Sequence, residues 1–235
     1  MRRPIAAVAF LLVAGLACSD SSDDGGPETP LATTAFEIQS GDISDGQLVL
    51  ITTYIMGISS AGDRVWVSDG LGASARAGVE VYRGSGAPAF TGAVGDRITV
   101  EGTVQEFSQG SGLTVTQIAE PTLTIVTPAA GAPIPITGLN PAIITLDPVA
   151  GISANGEAYE GVLIQLSNIK VASTAPYAYT DGTTTFGAGQ EIVPLGDAVG
   201  TCYATLTGIW NYDVVADDWI IVPVVGGKVA GSSCP

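Results

Sequence analysis

The chain has 235 residues, with 23 acidic against 8 basic side chains, a net charge of −15 at pH 7 and no histidine. So acidic a surface repels polyanions, which counts against affinity for nucleic acid resting on phosphate neutralisation. The missing histidine removes the commonest general base and the commonest transition-metal ligand, so the sequence points to a non-enzymatic protein with no metal and no other cofactor.

Residues 1–17 read MRRPIAAVAFLLVAGLA: two arginines, an apolar run and a small residue directly before Cys18. This is the layout of a secretory signal peptide, and its apolar run falls short of the roughly 20 residues that span a bilayer. The segment "AGLAC" resembles the lipobox of bacterial lipoproteins. That resemblance implies that Cys18 is acylated and becomes the new N-terminus. It also implies that the membrane is a partner and that the mature protein sits in the bacterial cell envelope, anchored by lipid at the outer membrane. Removing the leader takes Arg2 and Arg3 and leaves 6 basic against 23 acidic side chains, a net charge of −17. Residues 18–34 open with "SDSSDDGGPETP" after the cysteine, a polar, acidic stretch with little to bury, expected to form a flexible tether. Asp20, Asp23 and Asp24 match no calcium-loop spacing and are expected to be solvated charges.

From residue 35 the pattern is of strands and turns. "GQLVLITTYIMGI" (46–58), "DRVWVSD" (63–69), "GVEVYRG" (78–84), "DRITVEGTVQEF" (96–107) and "GLTVTQI" (112–118) are rich in Val, Ile, Thr and aromatics and are separated by Gly, Ser and Asp. Five such runs predict a small β barrel over 35–127, and any short helix is expected within "GLGASARA" (70–77). A proline-rich connector occupies 128–141. The pattern then restarts: "YEGVLIQLSNIKVAS" (159–173) parallels "DGQLVLITTYIMGIS" (45–59), and "LGDAVGTCYATLTGIWNY" (195–212) parallels "VGDRITVEGTVQEF" (94–107), with Gly46 matched to Gly161 and Gly95 to Gly196. A second, divergent barrel over 142–235 is the economical account, so the fold class is all-β, with two tandem five-stranded Greek-key barrels. Cys202 and Cys234, an even pair in an exported chain without C-x-x-C spacing, are expected to form a disulfide worth about 3–4 kcal/mol.

Taken together, the strand beginning at Gly46, "VWVSD", "VEVY", "VGDRITVEGTVQEF" and "LTVTQI" resemble the OB-fold domains attached to extracellular bacterial nucleases and nuclease-like lipoproteins. "YEGVLIQLSNIKV" resembles the opening of the second half of that region. The family's catalytic module, with its essential His and Asp residues, has no counterpart here, so no nuclease residue carries over and no catalytic residue is assigned. There is no G-x-S-x-G, and "GSGAPA" (84–89) is a turn rather than a phosphate loop. Asp213, Asp217 and Asp218 fall at an expected hairpin tip.

Binding residues are sought among aromatics and cations on the first barrel. The period of two in "DRVWVSD" places Arg64, Trp66 and Ser68 on one face and Val65 and Val67 on the other. Trp66 is then either a stacking platform beside Arg64 or part of a core packed under residues 70–77. Tyr82, Arg83 and Arg97 complete the candidate set, while Trp210, Tyr212 and Trp219 serve equally well to close the second barrel. Two functions stay open. One is a lipid-anchored binding or adaptor protein for an extracytoplasmic glycan, polymer or protein; the other, implied by the resemblance, is an accessory that grips single-stranded nucleic acid for a separate nuclease.

Overall fold

The computed structural model describes residues 28–109, 113–146 and 155–234. The leader, Cys18 and most of the expected tether lie outside the described residues. The tether assigned to 18–34 ends sooner than its composition indicates, because β1 (Leu31–Ala32) pairs in parallel with Val49 and Leu50 of β2. A neighbouring strand supplies the hydrogen-bond partners that the segment's own side chains do not.

A short helix, α1 (Ala35–Gln39), follows at once, started by a capping box between Thr34 and Glu37. Asp69 reinforces it from across the barrel, its carboxylate accepting the Ala35 N–H at 2.7 Å and the Phe36 N–H at 2.9 Å. The helix thereby pushes Ala35 and Ile38 into the core. Then come β2 (Leu48–Ile58), β3 (Arg64–Ser68), β4 (Gly78–Tyr82), β5 (Arg97–Phe107) and β6 (Val115–Thr127). They pair in the order β2-β3-β4-β6-β5, and β5 returns to β2, so the sheet closes. Every barrel contact is antiparallel except β4 with β6. This strand order, with one parallel pair closing a five-stranded Greek key, is that of an OB fold. Alternate residues of each strand, among them Val49, Ile51, Val65, Val67, Val79, Val81, Ile98 and Val100, fill its interior.

The second unit repeats the scheme. A short helix α2 (Pro141–Ile144), capped by Asn140, sends Ile144 into the core and precedes β7 (Val162–Thr174). With β8 (Tyr177–Thr180), β9 (Thr185–Ala188), β10 (Cys202–Asp213) and β11 (Asp218–Ala230), it closes in the order β10-β11-β9-β8-β7, again with one parallel pair, β9 with β11. The protein is therefore two tandem OB-like barrels. The turn into β10 corrects one detail of the repeat: Gly95 corresponds to Gly200 rather than Gly196. Both adopt positive φ, and each donates its N–H to the first strand of its own barrel, at Ile55 and Val171. Asp213 and Asp218 pair across the hairpin as expected.

Residues 70–77 hold no helix. Their partners lie in the connector instead: Ala73 N–H donates to the Ile134 carbonyl at 2.9 Å, and Ile134 N–H to the Leu71 carbonyl at 2.7 Å. Further along, the connector's Ile136 exchanges hydrogen bonds with Leu163 and Gln165 of β7. The connector is thus bonded to both barrels.

Trp210 and Trp219 stack at 6.2 Å between ring centroids, with Phe186 and Tyr212 against them, so these aromatics close the second barrel from inside. Cys202 and Cys234 are disulfide-bonded with a Cα separation of 5.6 Å, tying the chain beyond β11 to the start of β10. Reduction, or Cys202→Ser with Cys234→Ser, is expected to lower unfolding free energy by about 3–4 kcal/mol, measured by denaturant titration with and without reductant.

Candidate functional site

In an OB fold the second and third strands, with the loop between the last two, form the ligand surface. In the first barrel these strands are β3 and β4. Their inward residues are the valines, and their outward residues pair as Arg64 with Tyr82, Trp66 with Glu80, and Ser68 with Gly78. That outward face is covered by the second barrel. Trp66 is 0% exposed and packs with Met56 against Leu163, Ile209, Ile220 and Val222, which project outward from β7, β10 and β11. The indole is therefore not an open platform: it is buried, as the core alternative expected, in a cluster that Ala73 of residues 70–77 also packs against, and it serves as an anchor between the barrels. At one end of this seam the two backbones come so close that a Cβ on Gly78 would collide with the Gly161 carbonyl.

Polar groups frame the apolar seam. Glu80, 3% exposed, accepts a 3.0 Å hydrogen bond from Asn211 Nδ2 across the junction. Arg64 spans the barrels, with Nε 3.3 Å from Glu80 Oε1 and Nη1 3.7 Å from Glu191 Oε1 of the second. Its guanidinium also lies 5.9 Å from the Tyr82 ring centroid. Burial raises the Glu80 carboxyl above the usual carboxylate range, while Arg64 and Asn211 pull it back down. Glu160 accepts the Thr116 N–H at 2.8 Å, but its burial and the neighbouring charge of Glu157 outweigh that bond, so its carboxyl is raised well above the ordinary 4.5. Among the described residues, no group of three or more acidic, His or Cys side chains is arranged to hold a metal ion.

Where the barrels diverge, a cleft of about 540 Å³ opens, lined by Arg64, Glu80, Tyr82, Gln117, Glu191 and Asn211, with the β10–β11 hairpin residues Asp213, Val214 and Val215 on its far wall. This cleft borders the covered face of β3 and β4 in the first barrel. Of the candidate residues, the structure brings Arg64 and Tyr82 together here and separates the others. Arg83 donates to the carbonyls of Gly62 and Pro88 and covers the Phe90 ring, so it braces a loop. Arg97 is exposed at the start of β5, paired with Tyr54 and Thr127, and does not line the cleft. The sequence reading missed Glu80, Gln117, Glu191 and Asn211. The alternation in "GVEVY" already turns Glu80 outward beside Trp66, and the unbroken apolar run "WIIVPVV" signals a strand covered on both faces.

The fold and the site together define a tandem OB-fold protein with a shared inter-barrel cleft. No protein-family model matches the chain, and no curated protein matches it. Among solved structures it is similar to a putative aspartyl-tRNA synthetase from Leishmania major Friedlin, at 15% identity and a TM-score of 0.32, over 45% of this chain and 22% of that one. A likeness of that degree carries no argument here, and the fold rests on strand order and register.

Two outcomes follow. Trp66→Ala empties the seam and is expected to cost about 3–5 kcal/mol of stability in chemical denaturation. Glu160, facing Thr116 on β6 and the charges of Glu157, Glu106 and Glu80, with Arg76 near Glu157, holds its proton more tightly folded than unfolded. Its contribution is therefore full below pH 4.5 and is lost as pH rises toward its folded value. Glu160→Gln is expected to flatten that decline and raise the melting temperature at pH 8, by about 2–4 °C for each kcal/mol recovered.

Proposed function

We propose that this protein is a lipid-anchored, extracytoplasmic binding or adaptor protein without enzymatic activity, whose ligand site is the cleft between its two barrels. The observation that carries the reading is the covered face of β3 and β4. With Trp66 under Leu163, Ile209, Ile220 and Val222, the face of β3 and β4 is covered, and successive bases cannot stack along it. What stays accessible is a bounded cleft with several carboxylates, suited to one compact group of a glycan, polymer or protein rather than to a phosphate backbone. The lipid anchor and the envelope location rest on "AGLAC" and the leader before it. The resemblance to OB domains of extracellular nucleases supports the second reading, an accessory for single-stranded nucleic acid; both the overall charge and the charge of the cleft oppose it.

A binding screen of the purified protein against glycans, peptides and labelled single-stranded DNA at physiological salt tests this. No appreciable DNA binding is expected. For the ligand that does bind, Tyr82→Ala is expected to weaken binding by about tenfold through loss of an aromatic contact, and Arg97→Ala to leave it unchanged. Micromolar DNA binding that falls steeply with salt would favour the accessory reading. The anchor is tested separately: Cys18→Ala is expected to abolish metabolic labelling with palmitate.

A further inference from the structure

The cleft has more hydrogen-bond acceptors than donors. Its lining supplies three carboxylates, Glu80, Glu191 and Asp213, against one cation, Arg64; Oδ1 of Asp213 accepts the Val215 and Ala216 N–H groups of its own turn, which leaves Oδ2 for a ligand. That cation is already engaged, since the Arg64 guanidinium lies against Glu80 and Glu191. Two of the three side-chain amides in the lining are engaged as well: Asn211 Nδ2 donates to Glu80 at 3.0 Å, and Gln117 Nε2 to Gln105 at 2.6 Å, while Gln109 is exposed at the rim. In the lining, Oδ1 of Asn211, a residue 4% exposed, and Oε2 of Glu191 are acceptors with no hydrogen-bond partner among the described residues, and one donor, Arg64 Nε, has none either, although it faces Glu80 Oε1 at 3.3 Å as an ion pair. Buried acceptors without donors are costly, and a ligand that brings donors and positive charge removes the cost. Tyr82 and Phe107 are also in the lining, and aromatic rings attract a cation to their faces, as the Tyr82 ring already does with Arg64 at 5.9 Å.

We infer that the group this cleft recognises is an organic cation, a primary ammonium or a guanidinium, seated between Glu191, Asp213 and Asn211 beside Tyr82. The inference rests on the reading of the cleft as the ligand site and names the chemistry of what enters it. The same cation can come from a free polyamine or from a lysine or arginine side chain of a peptide. Arg64 occupies part of this position as a built-in counterion, so it competes with the ligand instead of helping to bind it.

Isothermal titration of the full chain, in detergent micelles, with spermidine, a short lysine- and arginine-containing peptide, a neutral oligosaccharide and a single-stranded oligonucleotide tests the inference. One or both cationic probes are expected to bind, and which of them binds more tightly identifies the source. Glu191→Gln and Asp213→Asn are each expected to weaken that binding by about tenfold, and Arg64→Gln to strengthen it several-fold, with thermal melts verifying that each variant is folded. Asp42→Asn and Glu101→Gln, exposed and outside the cleft, are expected to change nothing. Equal losses from those two would show a general counterion effect and overturn the inference. Binding of the neutral sugar alone, lost in Tyr82→Ala, would overturn the cation and leave the cleft standing as the site. Absence of binding by all four probes would overturn the inference, while a ligand of another class found in the wider screen would still locate the cleft through Tyr82→Ala.

Discussion

The arrangement depends on the burial of one sheet face by another barrel. An OB barrel closes by itself, and both barrels here fill their interiors mainly with side chains of their own strands, with Val115 of β6 joining the cluster of the second barrel. The outward strip of Trp66, Met56, Leu163, Ile209, Ile220 and Val222 has no such interior to enter. Each of these side chains would expose apolar surface on an isolated barrel, and burying a large side chain contributes about 1.5–3 kcal/mol. Docking the barrels hides all of them at once. The position of the cleft, the charge within it and the loss of the first barrel's open ligand surface follow from that contact.

The polar groups at the seam have a different role. Arg64, Glu80 and Asn211 lose hydration on docking, and a buried ion pair recovers little more than its desolvation cost. Their contribution is directional: the Asn211 hydrogen bond to Glu80 depends on how the faces are aligned, and the close approach of Gly78 to Gly161 leaves no room for a side chain there. Apolar area drives the association, while hydrogen bonds and steric contact choose its geometry.

Much of this was legible in the sequence, for a physical reason. A strand's period of two follows from backbone geometry alone, so "DRVWVSD" and "GVEVY" announced which side chains leave the barrel, and the pattern's restart after the prolines announced the second unit. What covers an outward face is a tertiary fact. Periodicity sent Trp66 outward correctly but could not say that Ile209 and Ile220 would meet it. The short helices escaped for a related reason: α1 is five residues held by Thr34, Glu37 and the distant Asp69, too few for an apolar period to register. "GLGASARA", small and uncharged apart from Arg76, looked helical only while its hydrogen-bond partners in the connector were unseen. At the site, the arginines drew attention because cations are scarce in this chain, whereas the carboxylates that dominate the cleft come from both barrels and are neighbours only after docking.

The connector, bonded to residues 71–73 on one side and to β7 on the other, has a thermodynamic consequence. A linker that only joined the barrels would let them reorient, and closing on a ligand would then cost the entropy of that lost motion. Here the strap is paired at both ends and the seam beside it is packed, so the mutual orientation is fixed at folding. The ordering cost is met once, in the folding free energy, and is not charged again at each encounter. A cleft built this way has a shape before its ligand arrives, and its selectivity is set by complementarity rather than by closure.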